Sequence, residues 1–259
     1  MNNILYIISL FNILFSVESP SDKYLASIDV DNRLGNKISG DIQIVDQNNN
    51  SFELSNYFID KPTILVMAYY RCPMLCSMVL NGLSNAMNNS DLTPGLDYNV
   101  LTVSIDPEET SQLSKEKKNN YIENYFSGVD TNFWTFTTSN LINIEKLTNE
   151  LGFRYSYDIN TKQYAHPAVI YIITEDGTIS HHLFGVNPSA NDLTLAIKEA
   201  SRGKVASVFD KILLYCYRYN PDAGTYSLVA SNVMKLAGVS TLFVMFSFLS
   251  FFWYRESKV

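Results

Sequence analysis

The sequence predicts an α/β fold, with helices packed on a mostly parallel central sheet, and three observations carry the prediction. The runs "TILVMAYY" (63–70), "YNVLTVSI" (98–105) and "AVIYIIT" (168–174) are apolar throughout rather than alternating, as strands covered on both faces require. The first two each lead into a helical pattern. A chain of 259 residues with 46% apolar content is enough for one full core plus accessory segments.

Taken in order, the chain opens on "ILYIISLFNILFSV" (4–17), 14 residues without a charge. As a helix this is about 21 Å long, short for a membrane span and of the length of a signal-peptide core. Residues 1–19 therefore read as a signal peptide cleaved near Ser16 or Ser19, or as a hydrophobic segment that stays attached, and residues 20–36 as a linker. Next, "DIQIV" (41–45) alternates, "DQNNN" (46–50) supplies turn residues and "SFELSNYF" (51–58) returns, which predicts a β-hairpin. After the 63–70 run, "CSMVLNGLSNAM" (76–87) has helical spacing. After the 98–105 run, Asp106-Pro107-Glu108-Glu109 predicts a helix start, with Asp106 as cap and Pro107 first in the helix, leading into "SQLSKEKKNNYIENYF" (111–126). "NLINIEKLTNELGF" (140–153) is a further amphipathic helix that Gly152 closes. "EDGTI" (175–179) turns the 168–174 run into a fourth strand, "TISHHLFGV" (178–186). The expected order is hairpin, βα, βα, β-hairpin, α.

At the far end, "LAGVSTLFVMFSFLSFFWY" (236–254) carries 19 residues without a charge, about 28 Å as a helix against a hydrocarbon core of about 30 Å. It reads as a transmembrane helix. Lys235 precedes it, Trp253 and Tyr254 sit at the level of interfacial aromatics, and Arg255 and Lys258 follow. That bias puts a 255–259 tail in the cytoplasm and the domain on the opposite side, facing the periplasm. The net charge of −7 leaves no basic field to hold a phosphate backbone, which excludes nucleic acid as a partner.

The chemistry centres on Cys72 and Cys76 in "YYRCPMLCSMVLNGL" (69–83), at the end of an apolar run and the start of a helix. Free amides and the helix dipole stabilise a thiolate there, and positions four apart share a helix face. The pair can be a redox couple, a metal clip or two apolar core fillers. Arg71 and Pro73 mark a loop rather than packed helix, which speaks against the core reading. The spacing is one residue wider than the commoner Cys-x-x-Cys redox motif and suits a metal. Two thiolates prefer a soft ion such as Cu(I), and one imidazole completes a three-coordinate site. Of the three histidines, His166 in "QYAHPAVIYIITEDG" (163–177) feeds a central strand and is the better ligand candidate. His181 and His182 are neighbours in an outer strand, so at most one can face a given site. Met74 and Met78 flank the pair, but methionines at helical spacing are usually core, and no role is assigned to them.

"YYRCPMLCSMVLNGL", "VSIDPEET" (103–110) and "AHPAVIYIITEDGTISHHLFGV" (165–186), in this order and spacing, resemble the Sco/SenC family of thioredoxin-like copper proteins. The resemblance covers residues 37–203 and implies a thioredoxin-like domain there, with Cys72 and Cys76 as the paired thiolates and His166 as the imidazole ligand. It departs from the family at Pro167, where a small hydroxyl residue is expected, and at Glu109, where many members have Arg or Lys after the Asp-Pro. Residues 204–235, including "YCYRYNPDAGTYS" (215–227), look like the juxtamembrane extension of a bacterial subgroup anchored at its C-terminus. Cys216 in that stretch reads as an unpaired thiol near the membrane, as a third thiol for copper transfer, or as an intermolecular disulfide partner.

The resemblance implies a metallochaperone in the bacterial inner membrane. It would bind Cu(I), and copper in its Cu(II) form, through Cys72, Cys76 and His166. It would receive copper from a periplasmic donor and pass it to the copper-binding subunit of cytochrome c oxidase. The alternative is a thiol-disulfide oxidoreductase, served by a periplasmic reductant, in which Cys72 and Cys76 keep the oxidase cysteines reduced. Whether the chain is an enzyme at all turns on that choice. A thiol peroxidase would need a Thr three residues before its attacking Cys, where Tyr69 and Pro73 stand.

Overall fold

The structure, a computed structural model, describes residues 28–206 together with 217–220, 225–228, 237–242, 244–248 and 250. A seven-stranded sheet forms its centre. In spatial order it runs β11 (Ile179–Phe184), β10 (Val169–Ile173), β4 (Thr63–Ala68), β5 (Asn99–Ser104), β6 (Trp134–Thr138), β2 (Gln43–Asp46) and β3 (Ser51–Glu53). The three apolar runs form β4, β5 and β10, and every residue of β4 and β10 is buried.

The sheet is mixed, which corrects the expectation of a mostly parallel one. β4, β5 and β6 are parallel to one another, while β10, β11, β2 and β3 join antiparallel. An apolar run reports that both faces of a strand are covered but carries no sign of its direction. β6 was not expected at all. Its threonines make "WTFTT" look polar, yet Thr137 and Thr138 are buried, and the Thr137 hydroxyl donates to the Thr102 carbonyl at 3.1 Å. Trp134 beside them is fully buried and donates its indole N–H to Thr102 Oγ1 at 2.9 Å.

Four helices cover the sheet: α1 (Leu75–Asn88), α2 (Ser111–Tyr125), α3 (Leu141–Leu151) and α4 (Ala190–Ala200). α1 packs between α2 and α4. A Cβ placed on Gly82 of α1 would lie 1.9 Å from the Val186 carbonyl oxygen, so only a glycine lets the helix approach the loop after β11 so closely. The predicted hairpin is present as β2 and β3, and Asp46 organises its turn by accepting from the amides of Asn48 and Asn50. Gly152 ends α3 at φ 70°, in the left-handed conformation that its position predicted. The start of α2 differs from expectation. Its cap is Thr110, which accepts from the Leu113 amide, and Asp106 to Glu109 form a separate turn.

Smaller pairs complete the described residues. β1 (Asp29–Val30) pairs with β7 (Phe153–Arg154), and β8 (Ser156–Asp158) with β9 (Gln163–Ala165), a hairpin that returns the chain to β10. β12 (Tyr217–Asn220) pairs with β13 (Thr225–Leu228). Among the described residues no helix is long and apolar enough to cross a membrane. The expected span at 236–254 is described only at 237–242, 244–248 and 250, all helical, with Val239, Leu242, Val244, Met245, Phe246 and Phe248 exposed. The 1–19 segment, Cys216 and the 255–259 tail lie outside the described residues.

Candidate metal centre

Strand direction brings the three expected residues together. Cys72 and Cys76 follow the C-terminal end of β4, and His166 lies in the three-residue connection that leads into β10. Because β10 runs antiparallel to β4, with Tyr171 opposite Leu65, its beginning lies at the end of β4. Continuing that register brings His166 level with the chain just beyond Ala68. The sulfurs of Cys72 and Cys76 and a ring nitrogen of His166 all lie within 4.8 Å of one another.

Each side chain is held by the chain around it. Cys72 sits in the loop before α1 rather than in the helix, so the pair does not share a helix face as the sequence suggested. Instead the Cys76 amide, in the first turn of α1, donates to Cys72 Sγ at 3.3 Å. α1 has no side-chain cap of the usual kind, and the Cys72 sulfur takes that place. The Tyr69 amide donates to Cys76 Sγ at 3.4 Å. His166 Nε2 is 2.9 Å from Cys76 Sγ, and its Nδ1 is 3.0 Å from the Pro167 carbonyl oxygen. A carbonyl can only accept, so Nδ1 carries the proton and Nε2 turns its lone pair toward the sulfurs, the arrangement that metal-ligating histidines use. The rings of Tyr69 and Phe153 flank the imidazole, each with its centroid 6.0 Å away.

The two thiols are electrostatically unlike. As a thiolate, Cys72 accepts a hydrogen bond from the Cys76 thiol, its largest support. Further support from the amides of Cys76 and Met74 outweighs burial, and together they pull it well below the usual thiol range. Burial, then the neighbouring Cys72 charge, pushes Cys76 well above the usual thiol range. Cys72 is also the most accessible of the three, 9% exposed against 1% for Cys76 and 3% for His166. Neither cysteine is in a disulfide. A cleft of about 560 Å³ opens beside Cys72, lined by its chain neighbours Arg71 and Pro73 and by Tyr69, Glu108 and Tyr164.

The other histidines lie elsewhere. His181 is bonded to Ser180 and Glu199, and His182 is sealed against Tyr171 and Phe184. Glu109, which the sequence placed in a helix start, is instead buried and turned inward. Its carboxylate accepts from the amides of Tyr70 and Arg71, both at 2.8 Å, and from the Ser104 hydroxyl at 2.7 Å. It pins the strand end that leads into Cys72, and no local signal marks an acid that turns inward from a polar "DPEET" stretch. Met74 and Met78, expected to be core, are exposed.

A model of the SCO1/SenC family matches residues 30–201. Among solved structures, the chain is similar to a candidate electron transfer protein from Aquifex aeolicus VF5, with 28% identity and a TM-score of 0.58, over 66% of this chain and 95% of the other. It shares its fold with copper-bound ScoI from Arabidopsis thaliana, at 19% identity and a TM-score of 0.52, over 64% of this chain and 99% of the other. It also shares its fold with BsSco, described with a disulfide switch and as a member of the Sco family of cytochrome c oxidase assembly proteins. There the identity is 17% and the TM-score 0.53. For BsSco the match takes in 68% of this chain and 99% of the other. No curated protein matches the chain.

Proposed function

Because the chain belongs to the SCO1/SenC family, we propose that it is a copper metallochaperone that binds Cu(I) through Cys72, Cys76 and His166. The observation that carries this reading is the approach of His166 Nε2 to Cys76 Sγ, 2.9 Å, within a group whose three ligand atoms lie inside 4.8 Å. The donor set fits the cargo, since two sulfurs and one neutral imidazole match a soft ion and exclude a hard one. A structural neighbour solved with copper bound, ScoI from Arabidopsis thaliana, supports the choice of metal.

The chain's own residues do the work of capture and release. Cys72 is already held as a thiolate, so it offers the first charged ligand without losing a proton. Cys76 gives up its proton as the ion arrives, which the positive charge of the ion favours. Pro167 holds the imidazole in the tautomer that presents Nε2. The site lies at the surface only through Cys72, which suits exchange with a partner's thiols in the adjoining cleft. The recipient is the copper-binding subunit of cytochrome c oxidase, in line with the description of BsSco as a member of the Sco family of cytochrome c oxidase assembly proteins.

The same reading makes 37–203 the working domain, 204–235 a juxtamembrane extension and 236–254 a membrane anchor that leaves the domain in the periplasm. What supports the anchor is the uncharged sequence of 236–254 and the cations that follow it. An enzyme active only in the periplasm, fused after Gly203, is expected to work, and fused after Val259 to stay silent. The reverse pattern would remove the anchor and its orientation.

A second reading, a thiol-disulfide reductase acting on the oxidase cysteines, is favoured by the contrast between an accessible Cys72 thiolate and a buried Cys76 thiol. That is the division between an attacking and a resolving thiol. Competition with a Cu(I) chelator separates the two. Cys72→Ser and Cys76→Ser are expected to abolish high-affinity binding, and His166→Ala to weaken it by roughly 10–100-fold. A reductase would instead be indifferent to His166→Ala and show no tight copper site.

A further inference from the structure

α1 presents a solvent-facing stripe formed by Met74, Met78, Asn81 and Asn85, while Cys76, Val79, Leu80 and Leu83 face the core. Two polar residues on such a stripe need no explanation, whereas two methionines at its site end do. Met74 is 66% exposed and Met78 44%. The Met78 amide donates to the Met74 carbonyl at 3.0 Å, so the two lie one helical turn apart on the same face. Met74 falls between the two cysteines in sequence, two residues after Cys72, the most accessible of the three ligands. Both thioethers therefore stand in solvent on the turn of α1 that carries Cys76, on unbranched side chains free to rotate.

We propose that Met74 and Met78 form a second, weak thioether site for Cu(I), through which the ion reaches and leaves Cys72 and Cys76. The proposal rests on the copper reading of Cys72, Cys76 and His166. Thioethers select Cu(I) among the available ions but are neutral, so they hold it less firmly than thiolates do. A thioether carries no proton and the ion keeps its oxidation state, so a Cu–S bond to Met forms as one to the incoming donor breaks. The step needs neither an oxidant nor a base. The ion then exchanges the thioethers for the Cys72 thiolate and, with loss of the Cys76 proton to water, for both sulfurs. Release runs the same sequence backward.

Replacement of both methionines by leucine keeps the apolar volume and removes only the sulfur, which separates ligation from apolar docking. The full chain, labelled with ¹³C at its methionine methyls, is titrated with Ag(I), a soft and redox-silent substitute. In the Cys72→Ser/Cys76→Ser variant, and in the unsubstituted chain beyond the first equivalent, the Met74 and Met78 methyls are expected to shift while those of Met67 and Met87 stay in place. With cysteines intact, Met74→Leu/Met78→Leu is expected to hold one Cu(I) as tightly as before but to release it to a small chelator roughly fivefold more slowly, since the soft stepping ligand is gone. Unmoved Met74 and Met78 methyls, or unchanged release rates, would overturn the proposal. Failure of the unsubstituted chain to hold Cu(I) would count against the proposed function instead, and the methyl shifts decide the methionine site in either case.

Discussion

His166 Nε2 stands 2.9 Å from Cys76 Sγ although 90 residues separate them in the chain. Two features of the backbone produce this. β10 runs antiparallel to β4, so the approach to one strand meets the exit from the other. The Pro167 carbonyl then fixes the proton on Nδ1 and leaves Nε2 free to ligate. The cysteines supply softness and the fold brings an imidazole to them.

The contrast between the thiols has a kinetic consequence. Cys72 is held as a thiolate chiefly by the hydrogen bond from Cys76, while burial keeps Cys76 protonated. Iodoacetamide at about pH 5, where an ordinary thiol is almost wholly protonated, is expected to modify Cys72 well ahead of Cys76. Mass spectrometry of the digested chain reads the order. Equal labelling, or Cys76 first, would contradict the assignment.

Glu109 holds the chain that delivers Cys72. Glu109→Ala leaves the Tyr70 and Arg71 amides without their acceptor, at roughly 1–3 kcal/mol for each unpaired group, so a loss of about 3 kcal/mol in urea denaturation is expected. Glu109→Gln keeps one acceptor oxygen and removes a charge that burial disfavours, so its loss is expected to be about half as large. Both are expected to weaken copper binding, Ala more than Gln. An unchanged denaturation midpoint in Glu109→Ala would show that the carboxylate pins nothing.

His182 gives the fold an acid weakness. Its ring nitrogens are sealed from solvent without partners, and burial, with the nearby His181 adding to it, pushes it down to about 3 from 6.5. Above pH 6.5 the imidazole is neutral in both the folded and unfolded chain and has no effect. Below that, the unfolded chain takes up a proton that the folded chain refuses, so stability falls with pH until about 3. Each unit amounts to about 1.4 kcal/mol at most. His182→Phe, which keeps an aromatic ring against Tyr171 and Phe184, is expected to lose less stability than the native chain between about pH 7 and about pH 5. Parallel losses in the two chains would show that His182 titrates normally.

Much of this arrangement was legible in the residues, and the exceptions share a cause. The runs at 63–70, 98–105 and 168–174 became three central strands because a strand buried on both faces must be apolar along its length. The grouping of Cys72, Cys76 and His166 was legible because few residue types can hold a soft ion. Hidden from the sequence were features settled by long-range packing. The direction of β10 is settled by its antiparallel pairing with β4 and β11. The burial of Thr137 and Thr138 depends on partners in β5 and neighbouring strands, and the inward turn of Glu109 on the Tyr70 and Arg71 amides from which its carboxylate accepts. Met74 and Met78 broke the rule that methionine at helical spacing is core, because on α1 that spacing falls on the solvent side.

X-ray absorption at the copper edge of the full chain loaded with one equivalent of Cu(I) tests the central claim most directly. Two sulfur neighbours and one nitrogen are expected, from Cys72, Cys76 and His166, with the nitrogen lost in His166→Ala and the sulfurs in Cys72→Ser/Cys76→Ser. A spectrum with three sulfurs, or one that His166→Ala leaves unchanged, would contradict the account.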